Sequence, residues 1–242
     1  MDAQVYLNDK SKTWELFDQQ VSKHYDRISD LISFGLYKGW RKALAKQLPQ
    51  RTGLNILDLA TGTGAIPLSM LAHAGDQIER IVGVDLSEDM MDIFRERLSG
   101  HARADDVEVV YGDATALELE PAQFDVVTMG CGIRNVSDHN QGCAEIFRML
   151  KPGGQVLFLE PSMPTNAVAK AVYLGYFRHV VPSVAGLISN YSAYRYFCDS
   201  VEGFLHGDEF VTMLESHGFE NGRYIDLTFG AIRIYSAEKP SE

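Results

Sequence analysis

A permanently charged side chain, Arg134, follows shortly after an apolar run that predicts a buried strand. The run covers Phe124 to Met129, it breaks at Gly130, and Arg134 is followed at once by the amide of Asn135. A guanidinium keeps its proton at neutral pH, so Arg134 is unsuited to act as a base but can stabilise an anion. In a pocket with little water, such a charge acts strongly at contact distance. The pattern therefore indicates an anion-stabilising group at the carboxyl end of a buried strand.

A glycine-containing loop, DLATGTGAIP at residues 58–67, follows an earlier apolar run and opens a predicted helix. Gly62 and Gly64 let the backbone turn sharply and let a ligand approach the main chain. The N–H groups of the next helix would then face an anion. A dinucleotide-binding loop would have a third glycine where this chain has Pro67. The loop indicates a ligand site, with a simple tight turn as the open alternative.

Acidic residues end the next two predicted strands. Asp85 comes 21 residues after Gly64, where a carboxylate can hold ribose hydroxyls, and Ser87 is better placed than Asp85 to cap the following helix. Asp113, in Gly-Asp-Ala, can accept a hydrogen bond from an exocyclic amine such as adenine N6, although alone it is equally a turn residue. Because the carboxyl ends of parallel strands share one edge, the loop and both acids predict a nucleoside cofactor there.

Short apolar runs alternate with stretches of helical length from residue 54 onward. The predicted strands cover residues 54–59, 80–85, 107–111, 124–129 and 155–160. Helices are predicted at 88–98 and 139–150, residues 112–123 are less clearly helical, and 151–154 predict a tight turn. This alternation predicts an α/β fold with a doubly wound, mostly parallel sheet.

The two ends of the chain add further elements. Helices are predicted at 12–24 and 37–48, joined by a loop that contains Ser29, Ser33 and Gly35.

Near the carboxyl end, a helix at 207–217 precedes strand-like runs at 222–228 and 230–236, which predict an antiparallel hairpin at the sheet edge. Residues 163–206 are longer than a simple connection and hold eight aromatic residues in 44, about 18% against 10% for the chain. Their predicted task is to cover a site.

Composition excludes several classes of function. The net charge of −11 argues against nucleic acid as a partner and against electrostatic attachment to anionic lipid. Cys131, Cys143 and Cys198 are odd in number and lack C-x-x-C spacing, which fits a reducing cytoplasm and predicts neither a disulfide framework nor a zinc site. We see no signal-peptide pattern at residues 1–12. The most apolar tract, 167–188, is interrupted by charges and a proline, which argues against a spanning helix.

Several longer segments are specific to one family. The glycine loop, the acid after strand two, Gly-Asp-Ala after strand three and Leu-Lys-Pro-Gly-Gly before strand five resemble class I methyltransferases that use S-adenosylmethionine. The segments that carry the closer resemblance are YDRISDLISFG (25–35) followed by Trp40 and Arg41, GIRNVSD (132–138), LEPSMPTN (159–166), VVP (180–182) and YRYFCDS (194–200). Through them the chain is similar, nearly end to end, to the ubiquinone/menaquinone biosynthesis C-methyltransferase family.

The resemblance implies a Rossmann-like, seven-stranded sheet with N-terminal helices and a helical cap insertion in a single domain, residues 1–242. The implied parts are an N-terminal helical lid (1–50), a cofactor-binding core (51–162), a helical substrate cap (163–206) and a C-terminal helix with a β-hairpin (207–242). The family usually has other residues at 28–29, 61–62, 65 and 130–131. The differences at 28–29 and 130–131 fall where substrate is expected, so the exact acceptor stays open.

The implied cofactor is S-adenosylmethionine, with the methionine carboxylate at the helix N-terminus. The implied cofactor-binding residues are Asp58, Ala60, Gly62, Thr63, Gly64, Asp85, Leu86, Met90, Asp113, Ala114 and Gly130. The implied substrate-binding residues are Tyr25, Cys131, Ile133, Tyr173, Tyr176, Phe177, Tyr194 and Tyr196, and Phe197 joins the aromatic residues expected to line a channel for an isoprenoid tail. For each aromatic residue alone, a place in the core of the cap is the simpler interpretation.

Chemistry gives Arg134 a role in such an enzyme. Methylation of a ring carbon needs an electron-rich ring, and a phenol with a pKa near 10 needs roughly 4 kcal/mol to ionise readily at pH 7. Arg134 is the expected partner of the phenolate, directly or through a water, with Asn135 orienting it. A salt bridge from Arg134 to Asp138 is the structural alternative. Tyr25 is the third expected catalytic residue, as a contact to substrate or cofactor.

The proton acceptor stays open among Tyr25, Asp26, His24, His179 and a bound water. The favoured activity is methylation of a polyprenyl quinol, most simply demethylmenaquinol. Another aromatic or secondary-metabolite acceptor is the first alternative, and a nicotinamide-dependent oxidoreductase or an inactive cofactor-binding subunit are others. The partner predicted is a small hydrophobic quinol, with no nucleic acid and no metal. Contact with the inner face of a membrane and a homodimer are open expectations for a cytoplasmic protein.

Overall fold

The structure, a computed structural model, describes residues 19–241 of the 242-residue chain. These residues form ten α-helices and seven β-strands. In chain order they are α1 (Gln19–Ser22), α2 (Tyr25–Ile32), α3 (Leu36–Ala45), β1 (Leu54–Leu59), α4 (Ala65–Ala74), β2 (Ile78–Asp85), α5 (Glu88–Leu98), β3 (Val107–Tyr111), β4 (Phe124–Gly130), α6 (His139–Met149), β5 (Leu150–Pro161), α7 (Ala167–Gly175), α8 (Val181–Ile188), α9 (Tyr191–Glu202), α10 (Asp208–Ser216), β6 (Glu220–Leu227) and β7 (Ile232–Glu238).

All seven strands join one sheet in the order β3-β2-β1-β4-β5-β7-β6. The first five pair in parallel, and β7 runs antiparallel between β5 and β6. The predicted mostly parallel sheet and the antiparallel hairpin at its edge are both confirmed. The strand order reverses between β1 and β4, and a crevice for ligands opens at such a point, beyond the carboxyl ends of the strands.

The sheet is covered on both faces, which is why its central strands are almost continuously apolar. On one face, Leu44 of α3 and Met70 of α4 pack against the sheet. On the other face, Ile146 of α6 and Phe210 and Leu214 of α10 do so. Each fully buried side chain of this kind stabilises the fold by about 1.5–3 kcal/mol. The strand edge that carries the candidate site is therefore held rigidly.

Two local expectations need correction. Residues 25–32, predicted as part of a loop, form α2, because Ile28 is buried and its polar neighbours face outward; the helix ends near Gly35, whose φ is +76°. Residues 112–123, which were less clearly helical by sequence, contain no helix. Residues 151–154 belong to β5 through a bulge rather than a separate turn. Residues 12–18 of the first predicted helix lie outside the described residues.

The segment 163–206 folds as the predicted helical cap. Asn166 and Asn190 cap α7 and α9 by accepting hydrogen bonds from the first free N–H groups of each helix. A π-helical turn, Tyr176–Val180, joins α7 to α8, so Ala167–Ile188 is one helical segment of 22 residues, long and apolar enough to cross a membrane by length and composition. One side of it packs into the cap through buried residues such as Phe177, so the segment lies along the domain.

Candidate active site

The glycine loop is held by the strands beside it. Gly62 N donates to Asp85 Oδ2 over 2.8 Å, and Thr61 N donates to the carbonyl oxygen of Val84 over 3.0 Å. Gly64 has φ +75°, and a Cβ there would lie 1.9 Å from the ring of Phe94. Only glycine fits this close approach between loop and α5. The loop therefore opens α4 with its first N–H groups at the sheet edge.

Asp58 supports the loop from below and is not among the wall residues of the two cavities described below. Its carboxylate accepts the hydroxyls of Thr61 over 2.7 Å and Thr128 over 2.5 Å. Burial raises the pKa of Asp58 to about 7, against the effect of both hydroxyls. The role visible in the structure is to position the loop.

A cavity with polar walls, here the polar cavity, lies beyond the carboxyl ends of β1, β2, β3 and β4. Its walls are formed by Tyr25, Tyr37, Ala60, Thr61, Gly62, Thr63, Ala65, Ile66, Val84, Asp85, Leu86, Ser87, Met90, Gly112, Asp113, Ala114, Gly130, Cys131, Gly132, Asn135, Val136 and Ser137. The structure thus brings together all the predicted cofactor residues except Asp58 and Gly64, which are not on the wall.

Two acids face this cavity in the positions that the sequence indicated. Asp85 Oδ1 accepts a hydrogen bond from Ser87 N over 2.8 Å, and Ser87 caps α5 as expected. Burial raises the pKa of Asp85, although hydrogen bonds from Ser87 and Gly62 oppose this shift. Asp113 Oδ1 accepts from the backbone N and hydroxyl of Thr115, so Asp113 is both a turn residue and part of the wall.

A second cavity, here the apolar cavity, lies between α2, α3, the cap and the ends of β5 and β7. Its walls are formed by Tyr25, Ser29, Ile32, Ser33, Phe34, Leu36, Tyr37, Trp40, Cys131, Leu159, Pro161, Tyr173, Tyr176, Phe177, Val181, Phe197, Thr228, Ala231 and Ile232. Of the predicted substrate residues, Tyr25, Cys131, Tyr173, Tyr176 and Phe177 line it. Ile133, Tyr194 and Tyr196 line neither cavity and are buried in the cores.

The two cavities share three wall residues, Tyr25, Tyr37 and Cys131. Burial raises the pKa of Tyr25 well above its ordinary value, and Tyr37 and Cys131 add to this shift. Burial also raises the pKa of the Cys131 thiol to about 12. At neutral pH these groups therefore keep their protons and can donate hydrogen bonds. Cys131 adopts φ +55°, a strained conformation for a residue with a side chain.

Sequence reasoning missed Tyr37, whose pKa burial also raises. Its place on the amphipathic helix α3 made it look like an ordinary core residue. The signal that could have found it is Trp40, one turn later, which belongs to the segment that carries the family resemblance and lines the same cavity.

Arg134 is buried and lines neither cavity. Its Nη1 lies 2.9 Å from Glu160 Oε2 and donates to the carbonyl oxygen of Cys131 over 2.5 Å, and its Nε donates to Ser200 Oγ over 3.2 Å. Although burial disfavours the charged guanidinium, Glu160 raises the pKa of Arg134 above its usual value, so Arg134 keeps its charge. Asp138, the alternative partner, instead caps α6.

Asn135 lines the polar cavity beside this ion pair. Its Oδ1 accepts the hydroxyl of Tyr196 over 3.1 Å, which ties the turn after β4 to helix α9 of the cap. Tyr196 thus belongs to the support of the site although it lines neither cavity.

Helix α2 is tied to the glycine loop through Asp26. The carboxylate of Asp26 accepts the hydroxyl of Thr63 over 3.0 Å and forms an ion pair with Arg97 of α5. His24 and His179, the other candidates for a proton acceptor, line neither cavity. Within residues 19–241, no group of three or more His, Cys, Asp or Glu side chains is arranged to hold a metal ion.

Comparison with known proteins assigns the family. Residues 6–239 match the model of the ubiE/COQ5 methyltransferase family. The ubiquinone/menaquinone biosynthesis C-methyltransferase UbiE of Geotalea uraniireducens is 38% identical over 228 residues, which cover 94% of this chain and 96% of that protein. The demethylmenaquinone methyltransferase of Chlorobaculum tepidum is 36% identical over 240 residues, which cover 97% of this chain and 95% of that protein.

The fold agrees with this assignment. The solved structure of a SAM-dependent methyltransferase from Thermotoga maritima matches with a TM-score of 0.65 at 21% identity, over 94% of this chain and 99% of that one. At this identity the likeness shows the fold, which is that of class I methyltransferases. The sequence relatives show more: this chain belongs to the ubiE/COQ5 methyltransferase family.

Proposed function

We propose that this enzyme methylates a ring carbon of a polyprenyl quinol, most simply demethylmenaquinol, with S-adenosylmethionine as the methyl donor. The observation that carries the proposal is the meeting of a polar, acid-lined cavity with an apolar one at Tyr25, Tyr37 and Cys131. A polar nucleoside donor and a hydrophobic acceptor need this combination. The names of the relatives from Geotalea uraniireducens and Chlorobaculum tepidum support the same chemistry.

The residues of the polar cavity fit the donor. The N–H groups at the start of α4 suit the methionine carboxylate, Asp85 suits the ribose hydroxyls and Asp113 suits the adenine amine. When bound, S-adenosylmethionine supplies a methyl group on a positively charged sulfur. Because Asp58 is buried under the loop with both oxygens bonded to threonine hydroxyls, its contribution to binding is indirect.

The apolar cavity fits a ring that carries an isoprenoid tail. Aromatic residues of the cap, among them Tyr173, Tyr176 and Phe177, form one side of it, and the ends of β5 and β7 form the other. A ring at the junction would lie between both cavities, with its tail directed between the cap and α3. Burial of the tail against these walls supplies the affinity.

Tyr25 is proposed to donate a hydrogen bond to the oxygen of the ionised ring. Its raised pKa keeps the phenol protonated at neutral pH, which suits a hydrogen-bond donor better than a base. S-adenosylmethionine would supply the methyl carbon to which the electron pair of the ring carbon bonds, and its sulfur would leave as a neutral thioether. The proton on that ring carbon then leaves to water, which restores the aromatic ring.

Arg134 as the partner of the phenolate stays a prediction. Its pairing with Glu160 reduces the net charge that reaches the junction, while its bond to the Cys131 carbonyl holds the wall where the ring would lie. The contacts therefore support a positioning role first, with Asn135, on the wall itself, as the residue positioned. The cytoplasmic location, membrane contact and the homodimer also stay predictions.

An assay of methyl transfer tests the proposed function. The protein is incubated with S-adenosylmethionine labelled in its methyl group and a demethylmenaquinol with a short tail dispersed in detergent. We expect label in a carbon-methylated product, identified by mass spectrometry. If the label does not enter the naphthoquinol ring but does enter another aromatic acceptor, the quinol assignment is contradicted. The assignment as a methyltransferase would then still hold. Calorimetric binding of NAD in place of S-adenosylmethionine would contradict both.

A further inference from the structure

The cap helix segment Ala167–Ile188 has an apolar side that no part of the described chain covers. Val168, Val172, Val180 and Leu187 recur at helical spacing along it and are exposed, Val168 at 74% and Leu187 at 88%. The opposite side is buried through Phe177, Val181 and Ala185. A stripe of large exposed hydrophobic residues on a helix of this length is unusual on a soluble surface and marks a contact surface.

This exposed stripe continues to the opening of the apolar cavity. Phe34, exposed at 78%, lines that cavity and contacts the ring of Tyr176 with 5.6 Å between ring centroids. Tyr176 lies one turn after Val172 on the same helical segment. The stripe and the cavity opening therefore belong to one surface.

A strained turn adds a second exposed aromatic residue at the same opening. Thr228 lines the apolar cavity and Phe229 is 89% exposed, and both adopt positive φ, +48° and +58°. Such angles are outliers for residues with a side chain, and they present the ring of Phe229 to the outside. The following residue, Gly230, lies beside Pro164 at the start of the cap, so this turn adjoins the helix stripe.

We propose that this surface, made of Phe34, Val168, Val172, Val180, Leu187 and Phe229 and here called the mouth face, docks on a lipid bilayer. The bilayer is the partner because the mouth face adjoins the opening of the apolar cavity through Phe34 and Phe229, and an isoprenoid tail reaches that cavity from lipid without crossing water. The inference rests on the proposed function. Since one side of the helix is buried in the cap, the helix lies in the plane of the interface.

The charge of the protein sets the kind of lipid surface. With a net charge of −11, the chain gains no attraction from anionic lipid, so apolar burial drives the docking. Docking on neutral phosphatidylcholine should therefore persist when salt is raised from about 0.1 M to about 1 M, where exposed charges are screened. A second copy of the chain bound to this surface would block the opening of the apolar cavity and keep the acceptor out.

Flotation of the full-length protein with phosphatidylcholine vesicles tests the proposal. We expect the wild type to float with the vesicles at both salt concentrations. The triple variant Val168→Ser, Val172→Ser, Phe229→Asn removes apolar surface without touching a cavity wall, and asparagine tolerates the positive φ at 229. Its partition coefficient should fall at least tenfold. Tyr111→Ser is the matched control, because Tyr111 is also exposed but ends β3 at the far edge of the sheet, and its partition should not change.

The outcomes separate this proposal from the proposed function. A wild type that methylates a detergent-dispersed acceptor but does not float would overturn the docking alone. Equal partition of the triple variant and the wild type would overturn it as well. The final measurement is the molar mass by gel filtration with light scattering. If the wild type is a dimer and the triple variant is a monomer, the mouth face is an interface with a second copy of the chain, and the docking proposal is overturned. The triple variant should keep its turnover with a short-tailed acceptor in detergent.

Discussion

At the residue scale, Asp85 is the side chain whose role follows most directly from sequence and structure. It ends β2, lines the polar cavity and holds the loop through Gly62 N. Asp85→Ala should weaken binding of S-adenosylmethionine by about 1–3 kcal/mol, because a charged partner for the donor is lost. Isothermal titration calorimetry measures this change. Asp89→Ala, which removes the same charge from an exposed position on α5, should leave the affinity unchanged.

The ion pair of Arg134 and Glu160 separates a positioning role from a chemical one. Removing either partner alone leaves an uncompensated buried charge and should destabilise the fold by about 3–5 kcal/mol. The double variant Arg134→Met, Glu160→Met leaves no such charge and should recover most of the stability in thermal unfolding.

Turnover of this double variant then decides between the two roles. If the guanidinium stabilises the ionised ring, kcat stays low while the affinity for S-adenosylmethionine recovers. If kcat recovers together with stability, the ion pair only positions the turn after β4 and the guanidinium takes no part in the chemistry. Tyr191→Phe changes an exposed residue of the cap and is the control for effects of substitution and purification that are unrelated to the ion pair.

Sequence could identify the residues of the site better than their partners. The acids and glycines at the strand ends were predictable, because a parallel sheet brings all its carboxyl ends to one edge. The partner of Arg134 was not: Glu160, 26 positions away, ends the predicted strand 155–160, and an acid at a strand end does not indicate which side chain it pairs with. Tyr37 was hidden by the helical pattern that also places it in the core.

At the element scale, the bounds of β1 to β4 could be predicted to within two residues, while α2 could not. The strands at 54–59 and 107–111 match their predicted bounds, since short apolar runs between turns leave little choice. Helix α2 has eight residues with serines in and after it, and its helical character depends on tertiary contacts through Ile28. Short helices of this kind gain most of their stability from packing.

Helix α2 is tied to the glycine loop by Asp26, and this link should govern how the site opens. Asp26→Ala removes the bonds to Thr63 and Arg97, yet this partly exposed pair contributes only about 0–1 kcal/mol to stability. We expect little change in melting temperature but faster dissociation of S-adenosylmethionine and faster hydrogen exchange in Tyr25–Ile32. Asp30→Ala, a change on the same helix α2 that breaks the exposed ion pair with Lys38 of α3, is the control. Unchanged dissociation would mean that α2 does not close the site.

The junction of β1 with the glycine loop should give the fold a characteristic pH dependence. Burial raises the pKa of Asp58 to about 7, whereas the unfolded chain titrates near 3.8. Between these values the folded state holds a proton that the unfolded state has lost, so the free energy of unfolding falls as pH rises, by up to about 1.4 kcal/mol per pH unit. Urea unfolding of the wild type and Asp58→Asn from pH 4 to pH 8 measures the difference. A difference that does not change with pH would contradict a protonated Asp58.

At the scale of the whole molecule, the fold joins a site built by the sheet to one built by the helices around it. The polar cavity lies on the strand ends, and the apolar cavity lies between α2, α3 and the cap. The residues at the strand ends predicted the polar cavity, but composition did not predict the walls of the apolar cavity, because which aromatic residues face a ligand and which face the core depends on how the cap packs. Tyr194 and Tyr196 are buried in the core, whereas Tyr173 and Tyr176, in the same cap, line the apolar cavity.

Because Tyr25, Tyr37 and Cys131 belong to both walls, occupancy of one cavity should change affinity at the other. We expect S-adenosylhomocysteine at saturation to tighten binding of a short-tailed naphthoquinol by about fivefold or more, a coupling of about 1 kcal/mol. By thermodynamic reciprocity, the naphthoquinol must tighten S-adenosylhomocysteine by the same factor. Calorimetric titrations in both orders measure the two factors. Tyr25→Ala should reduce both together, because it removes a wall that the ligands share, whereas Asp30→Ala should leave both intact. If the two ligands bind independently to the wild type, the shared wall does not couple the affinities of the two cavities, and this prediction is wrong.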